Sequence, residues 1–421
     1  MEKYLEMISD GLYTFHQGSL MVEKVFAKDI CSRFGTPVYV YSATFIENQI
    51  RKLREAFKSV SPLICYSMKA NNNMEVLKLI RKQGCGVDIV SGGELAKATK
   101  AGFKGDKIVF AGVGKTREEI IAALNKRIYL FTVESVEELK TINETAKSLK
   151  KIADVTLRIN LDVEVDTHHY IKTAKKETKF GLPEKQVESI INSRNEFSNL
   201  NILGIQFHLG SNIKSSTPYI EALKRLKRFL KKANFKPSVI DIGGGFGIQY
   251  RDETIEQIMD FGNKICEFFV ENFPGVSMVI EPGRFIVGNA GILLTQVVYN
   301  KKTPHKNFLI VDAGMNDLIR PSLYNSYHEI LPVFFKKGKL IKYDVVGPIC
   351  ETGDFLGKER LLPDGLDSGD LIAVMGAGAY GFSMSSNYNG RPRVAEVMVR
   401  GGKMKCCRRR EKFDDLWKHE I

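Results

Sequence analysis

Eight short apolar segments recur at regular intervals between residues 63 and 280. Their length and composition are typical of buried strands, and the chain between successive segments leaves room for a helix. The segments lie at 63–67, 87–90, 108–111, 129–132, 155–159, 202–207, 239–242 and 278–280. Two intervening stretches, 116–124 and 135–149, have clear amphipathic helical periodicity. This alternation over roughly 200 residues predicts an α/β fold, a TIM-like parallel (β/α)8 barrel.

An open, doubly wound sheet is the competing architecture, because periodicity alone does not show closure. The placement of polar and glycine residues favours the barrel. In a barrel the C-terminal ends of all strands meet at one mouth, and at or just past such ends lie Lys69, Asp88, Arg158, His208, the glycines at 243–245 and the segment 281–284.

The rhythm changes after residue 285, where strand-like segments are separated by loops. These segments lie at 292–298, 308–311, 343–346, 371–374 and 395–399. An earlier segment, 38–42, is expected to be a strand that leads into a helix capped by Ser42. The sequence therefore predicts a barrel domain over 37–285 and a β-rich, sandwich- or barrel-like domain formed by 1–36 and 286–421.

Composition bounds the class of protein. Hydrophobic residues make up 43% of the 421 residues and charged residues 26%, as in an ordinary globular enzyme. The formal net charge of +13 is compatible with a nucleic-acid partner or with attraction of an anionic cofactor or substrate. The second is favoured, because basic residues are spread through amphipathic stretches such as 223–228 and no zinc-finger or RNA-binding signature accompanies them.

The seven cysteines are odd in number and scattered without metal-ligand spacing, which indicates a reducing compartment and no metal site. Glu2, Glu6 and Asp10 occupy the N-terminus, where a signal peptide has basic and then apolar residues. No run is long and apolar enough to cross a bilayer. We therefore expect a cytoplasmic protein with no membrane partner.

Lys69 lies between the first apolar segment and a stretch with helical periodicity at 74–80. A lysine at the end of a buried strand can extend its head into water while its stem packs. It can also be held partly desolvated, which lowers its pKa toward the free amine that forms a Schiff base. Both interpretations are open on the segment 66–71 alone.

Three consecutive glycines, Gly243, Gly244 and Gly245, follow the seventh apolar segment. In (β/α)8 barrels a phosphate is commonly held by the loops after strands seven and eight, where glycines let backbone N–H groups close on the anion. A tight turn is the alternative explanation for such a run. Together with a strand-end lysine, the run points to a phosphorylated aldehyde cofactor.

Six motifs, taken together, resemble the diaminopimelate decarboxylase family in number, order and spacing. They are the segments 66–71, 87–95, 207–211, 241–247, 281–284 and 350–354. That family belongs to the alanine-racemase-like (fold III) pyridoxal-phosphate enzymes, and the resemblance covers nearly the whole chain. It implies a lyase that decarboxylates meso-2,6-diaminopimelate to L-lysine and CO2, the last step of lysine biosynthesis.

The resemblance implies that Lys69 forms a Schiff base with pyridoxal 5′-phosphate, that His208 stacks on the cofactor ring and that Glu281 keeps the pyridine nitrogen protonated. Racemases of this fold place an arginine at that nitrogen, so a glutamate favours decarboxylation. Lys69, Cys350 and His208 are the implied catalytic residues. The implied cofactor-binding residues are Lys69, Asp88, His208, Ser211, Gly243, Gly244, Gly245, Glu281, Pro282, Gly283, Arg284 and Tyr380.

Substrate choice depends on the end of the substrate that does not react. Arg284, Arg320 and Tyr324 resemble the group that binds a distal carboxylate, for which a planar guanidinium offers two parallel hydrogen bonds. Glu351 resembles the acceptor for a distal ammonium, and Tyr380 lies in a loop that serves both cofactor and substrate. The alternative explanation for the arginines is that they are surface charges.

Cys350 resembles the family cysteine that enters the site from a neighbouring subunit and protonates the carbanion. A homodimer with shared active sites is therefore implied. The sequence departs from the family pattern at Ser67 and Met68, where Ala and Leu are more usual, and at Asn212, where Gln is common. None of these departures removes a group that the chemistry needs.

Two other functions remain open. A non-catalytic pyridoxal-phosphate-binding protein would resemble the barrel alone, so Cys350, Glu351 and Tyr380 in the β-rich domain argue against it. An ornithine or arginine decarboxylase of the same fold would leave Arg284 and Arg320 with no carboxylate to bind.

Overall fold

The computed structural model describes residues 2–163, 179–336 and 338–421. The chain forms two compact units. One consists of Gln49–Gly247 and Thr254–Phe285, and the other of Met1–Asn48, Ile248–Glu253 and Ile286–Ile421.

The first of these units is a closed parallel barrel. Neighbouring strands pair in chain order, and the last strand returns to the first through the register Val279 with Leu63 and Ile280 with Ile64. The eight strands are Leu63–Ser67, Gly86–Ile89, Ile108–Phe110, Leu130–Val133, Ala153–Asn160, Leu200–Gln206, Val239–Asp241 and Ser277–Ile280. A short ninth strand, Leu182–Pro183, pairs with Ala153–Asn160. The predicted barrel is confirmed, and the open sheet is excluded by closure.

Helices occupy the connections between barrel strands. They are Met74–Lys82, Gly92–Ala101, Arg117–Lys126, Val136–Ser148, Glu184–Asn192, Thr217–Lys232 and Ile258–Asn272, with 3-10 turns at Met68–Ala70, Gly105–Lys107 and Arg194–Glu196. Several begin at hydroxyl side chains that accept a backbone N–H three residues on, as Thr116 does in a capping box with Glu119. The barrel interior carries a buried apolar cluster contributed by five strands, so it is a packed core. Its members are Cys65, Val109, Leu130, Val239 and Val279.

The second unit is β-rich, as predicted. Its main sheet runs in the order Phe355–Pro363, Leu340–Val346, Asn307–Val311, Gly291–Lys302, Val38–Ser42, Ala395–Arg400 and Lys403–Arg408. Leu371–Val374 pairs with Gly291–Lys302 and with Ile330–Pro332. A small antiparallel sheet contains Tyr13–His16, Ser19–Val22 and Val25–Phe26. The helices of this unit include Glu2–Ser9, Ala27–Phe34 and Arg320–Tyr324, and 3-10 turns lie at Phe382–Met384, Tyr388–Gly390 and Phe413–Leu416.

The strand Val38–Ser42 leads into the helix Ala43–Ala56, and Ser42 Oγ accepts a hydrogen bond from the Phe45 N–H at 3.1 Å, as expected of an N-cap. The sequence places the start of the barrel domain at residue 37. This strand, however, pairs antiparallel with Gly291–Lys302 and parallel with Ala395–Arg400, both in the β-rich unit. Throughout the described ranges, no helix has the length and apolar character needed to span a membrane.

Candidate active site

Lys69 lies on the 3-10 turn that follows the first barrel strand. Its side chain is 44% exposed, and its Nζ lies 3.4 Å from Asp88 Oδ2. Asp88, at the end of the next strand, is buried and also accepts a hydrogen bond from Ser67 Oγ at 2.7 Å. Of the two interpretations of the sequence, the structure therefore shows the lysine that reaches solvent. Its amine is held at the barrel mouth by an acid that the neighbouring serine orients.

Asp241 and Glu281 form a buried pair of carboxyl groups at the ends of adjacent strands. Burial is the main cause, and the negative charges of the nearby acids the second, of a Glu281 pKa that lies well above its usual range. Burial also raises the pKa of Asp241 to about 7. Glu281 Oε2 accepts a hydrogen bond from Gln206 Nε2 at 3.3 Å. Its Oε1 is buried, as is Asp241 Oδ2, and the two carboxyl groups interact through a side-chain hydrogen bond. This buried acidic pair is suited to a cationic or N–H group placed inside the barrel mouth.

His208 follows the sixth barrel strand and is half-buried. Its Nδ1 accepts a hydrogen bond from the Gly244 N–H at 3.3 Å, so the ring carries its proton at Nε2. Desolvation lowers the pKa of His208 well below its usual value, and the positive charges of Arg158 and Lys69 lower it further. The imidazole is therefore a neutral ring near the strand-end lysine.

The glycine run packs too tightly to carry side chains. A Cβ at Gly244 would lie 2.0 Å from Glu281 O, and one at Gly245 would lie 2.3 Å from Gly210 O. Gly243 and Gly245 also have positive φ values of 70° and 98°. The N–H of Gly243 donates to Asp241 Oδ1 at 2.8 Å. These contacts support the tight-turn explanation, and phosphate binding by these glycines stays a prediction.

Arg284 and Ser211 come together from the loops after strands eight and six. Arg284 Nη2 donates to Ser211 Oγ at 3.0 Å, and the arginine is buried. Pro282 O accepts the Ser67 N–H at 3.2 Å, and a Cβ at Gly283 would lie 3.1 Å from the Cβ atoms of Ser67 and Ala70. The loop after strand eight therefore lies directly against the turn that carries Lys69.

Arg158 has a buried partner, Glu134, that was not among the predicted site residues. Glu134, which follows the fourth strand, accepts from Arg158 Nη1 at 2.8 and 2.9 Å and from the backbone N–H groups of Gly112 and Gly181. Both side chains are buried. The position of Glu134 just past a strand end was the available signal, the same signal that pointed to Asp88 and His208.

In the β-rich unit, Arg320 and Tyr324 lie on one short helix, and Arg320 is 4% exposed. It is therefore buried and not a surface charge. Ser322 Oγ on the same helix donates to Gly353 O at 2.6 Å. This contact brings the helix together with the loop 350–354.

The loop 350–354 presents Cys350 and Glu351 at the surface of its unit. Asp354 anchors the loop by accepting the N–H groups of Met315 and Ile349, each at 2.7 Å. Glu351 Oε1 accepts a hydrogen bond from Tyr388 Oη at 2.5 Å. A thiol and a carboxylate are thus exposed on a loop that Asp354 anchors.

Tyr380 is half-buried and has a φ of 56°, in the left-handed region that a non-glycine residue rarely adopts. Such strained positions cluster at functional sites, because only the surrounding structure maintains them.

Residues 44–288 match the family described as pyridoxal-dependent decarboxylase, pyridoxal binding domain. With the closed barrel and the lysine at its mouth, this match places the chain among the pyridoxal-dependent decarboxylases. The chain is 46% identical over 403 residues to diaminopimelate decarboxylase of Aquifex aeolicus, with 95% of each chain covered, and 44% identical over 412 residues to that of Pseudomonas fluorescens, with 97% and 98% covered. This protein belongs to the diaminopimelate decarboxylase family.

A solved structure of diaminopimelate decarboxylase from Helicobacter pylori, complexed with L-lysine, is similar to this chain with a TM-score of 0.88 and 39% identity. The likeness covers 93% of this chain and 98% of that one. It extends over both the barrel and the β-rich unit.

The barrel residues fit pyridoxal 5′-phosphate. The cofactor has an aldehyde, a basic ring nitrogen and a phosphate. The mouth offers the amine of the partly exposed Lys69 side chain, the buried carboxyl group of Glu281, and the Arg284–Ser211 pair. Each chemical group of the cofactor therefore has a matching group in the same barrel.

Proposed function

We propose that this protein decarboxylates meso-2,6-diaminopimelate to L-lysine and CO2. The observation that carries the proposal is the extent of the likeness, which reaches 95% of the chain and includes the β-rich unit. A non-catalytic cofactor-binding barrel would need none of that unit. The Helicobacter pylori relative is complexed with L-lysine, the product of this reaction.

Bound pyridoxal 5′-phosphate supplies an electron sink that stabilises the negative charge left on carbon when CO2 departs. In the proposed site, the amine of Lys69 binds the cofactor aldehyde, and Ser211, Arg284 and the glycines at 243–245 hold the phosphate. Glu281 holds a proton between its carboxylate and the ring nitrogen. His208, being neutral, packs on the ring without adding positive charge.

The β-rich unit is proposed to bind the distal end of the substrate and to supply the proton that forms the product. Arg320 and Tyr324 bind the distal carboxylate, a role also proposed for Arg284, and Glu351 accepts from the distal ammonium. The Cys350 thiol gives its proton to the carbon that has lost CO2, and the C–H bond of L-lysine forms. Ornithine and arginine lack a distal carboxylate, so they would leave Arg320 without that contact.

The test is release of CO2 from meso-diaminopimelate, L-lysine, ornithine and arginine, measured side by side. Losing one member of a buried charged pair costs about 2–5 kcal/mol. We therefore expect kcat/KM for meso-diaminopimelate to exceed the others by at least about tenfold, at about 1.4 kcal/mol per decade. Faster turnover of ornithine or arginine would assign the alternative function, and no CO2 from any of the four would favour the non-catalytic protein.

We further propose a homodimer in which the barrel domain, 37–285, binds the cofactor and the β-rich domain of the partner completes the site. The exposure of Cys350 and Glu351 on an anchored loop supports this arrangement. A cytoplasmic location stays a prediction from composition.

Mixing two inactive variants tests the shared site. Lys69→Ala chains lack the amine and Cys350→Ala chains lack the thiol, so exchange of subunits should regenerate one intact site in each heterodimer. About a quarter of wild-type activity per chain is the expected limit, since random exchange makes half of the dimers mixed and each has one of two sites intact. Exchange verified by differently tagged chains, with no recovery of activity, would exclude sharing through Cys350.

A further inference from the structure

His328 contacts both Arg320 and the backbone in the β-rich unit. It is fully buried, and its Nε2 lies 2.8 Å from Arg320 Nη1. Its Nδ1 lies 2.8 Å from the carbonyl oxygen of Met375. The imidazole therefore bridges the arginine and the loop that follows the strand Leu371–Val374.

The two partners determine where the ring proton lies. A carbonyl oxygen only accepts hydrogen bonds, so Nδ1 carries the proton and donates it to Met375. A guanidinium only donates, so Nε2 offers its lone pair to Arg320. The ring is neutral in this arrangement, because a proton on Nε2 would place one N–H group against another.

A neutral acceptor suits an arginine that binds a carboxylate. A carboxylate in the place of His328 would neutralise the guanidinium and compete with the substrate. An imidazole nitrogen orients the guanidinium and adds no negative charge. The contact with His328 therefore does not weaken the attraction of Arg320 for a substrate carboxylate.

Tyr250 contacts both Arg320 and His328. The Arg320 guanidinium lies 5.1 Å from the centre of the Tyr250 ring, and that ring packs edge-on against His328 with centroids 5.5 Å apart. Ser326 Oγ accepts a weaker bond from Arg320 Nη2 at 3.4 Å. The guanidinium thus has one face on an aromatic ring and one edge on the imidazole, which restricts its orientation.

We propose that His328 is a positioning residue for substrate specificity, which acts by holding Arg320 in the orientation that binds the distal carboxylate. This inference rests on the proposed role of Arg320. His328 acts through its contact with Arg320 and is not a catalytic residue.

The test compares two amides at position 328. The side-chain amide of asparagine reaches the position of Nδ1, and that of glutamine reaches the position of Nε2. His328→Asn therefore keeps a donor for Met375 and loses the acceptor for Arg320, whereas His328→Gln restores the acceptor. If His328→Asn gives no folded protein, His328→Phe removes the same acceptor at similar volume.

The readout is inhibition of the cofactor-loaded enzyme by L-lysine and by cadaverine, which differ only in the distal carboxylate. Losing a hydrogen bond to a charged group is expected to weaken L-lysine inhibition about tenfold or more in His328→Asn. The KM of meso-diaminopimelate should rise in parallel. Inhibition by cadaverine should change little, and His328→Gln should recover most of the loss.

A control removes a part-buried hydrogen bond of the same unit. Tyr343 accepts from Asn300 Nδ2 at 3.1 Å, and Tyr343→Phe should lower thermal stability with no change in the ratio of the two inhibition constants. Equal weakening of both inhibitors in His328→Asn would show a general structural effect and overturn the proposal. Unchanged inhibition by both compounds in His328→Asn would overturn it as well.

Arg320→Ala separates this inference from the proposed function. If Arg320→Ala weakens L-lysine inhibition and His328→Asn does not, the positioning role alone is wrong. If Arg320→Ala leaves L-lysine inhibition unchanged, the assignment of Arg320 to the distal carboxylate fails, and the positioning role fails with it.

Discussion

Replacing Lys69 with alanine is expected to abolish decarboxylation and to prevent covalent attachment of the cofactor. Lys69 is the amine at the barrel mouth, 3.4 Å from the buried Asp88. A positioned acid–base group alone contributes about 10²–10⁴-fold to a rate, and the loss of covalent attachment adds to that figure. The measurements are CO2 release and borohydride reduction followed by peptide mapping, which should place the label on Lys69 in the unaltered protein.

Lys78→Ala is the matched control for this variant. Lys78 lies on the next helix, is 45% exposed against 44% for Lys69, and pairs with Glu75 at 3.1 Å. Its replacement removes an exposed, acid-paired lysine of the same barrel and should leave labelling and activity intact. A label on another lysine, or full activity in Lys69→Ala, would contradict the central assignment.

Replacing Glu281 with glutamine is expected to lower kcat by about two to four orders of magnitude, while the protein still binds cofactor. The amide has nearly the same shape but does not hold a proton on the ring nitrogen. Breaking a buried ion pair costs about 3–5 kcal/mol, and about 1.4 kcal/mol corresponds to a tenfold change in rate. Glu281→Gln with wild-type kcat would exclude the proposed pairing.

The same variant should change how the stability of the cofactor-free protein depends on pH. The pKa of Glu281 is raised, chiefly by burial, so the folded protein holds this proton more tightly than the unfolded chain. The resulting stability is fully present below the usual glutamate pKa of about 4.3 and is lost as pH rises through the folded pKa. At pH 8, cofactor-free Glu281→Gln should therefore have a larger free energy of unfolding than wild type, and the difference should shrink as pH falls.

Asp344→Asn provides a control of opposite sign. Burial alone would raise the pKa of Asp344, but hydrogen bonds from Lys306 at 2.6 Å and from the Glu359 N–H lower it. Its stabilising effect is present above the unfolded pKa and is lost as pH falls through the folded one. Asp344→Asn should therefore be less stable than wild type at pH 8, with no change in kcat. Urea unfolding of the cofactor-free proteins measures the stability changes of both Glu281→Gln and Asp344→Asn.

The barrel was predictable because its signal is local. Each buried strand, such as Val239–Asp241, is marked by a short apolar run in the sequence. The polar group that follows each run therefore lies at the C-terminal end of a strand. The β-rich unit was predicted less completely. Phe355–Pro363 was missed because it contains Lys358, Glu359 and Arg360, which interrupt the apolar pattern of a strand.

The N-terminal region was the weakest part of the prediction. The sequence assigned residues 1–36 to the β-rich domain, and the structure contains the strands Tyr13–His16 and Ser19–Val22 there. It also contains the helices Glu2–Ser9 and Ala27–Phe34, which were not predicted. Helices of eight residues hold too few turns for periodicity to identify them, and their stability comes from packing.

By itself, the sequence determined the eight-stranded barrel, the β-rich second unit and the positions of Lys69, Asp88, His208 and Glu281 at strand ends, because these follow from patterns within short stretches of chain. Only the tertiary structure decided the electrostatics. The raised pKa values of Asp241 and Glu281, the Glu134–Arg158 pair and the contact of His328 with Met375 join residues far apart along the chain. Burial and Coulomb energies depend on distance in space, and distance in space is set only when the strands and loops have packed.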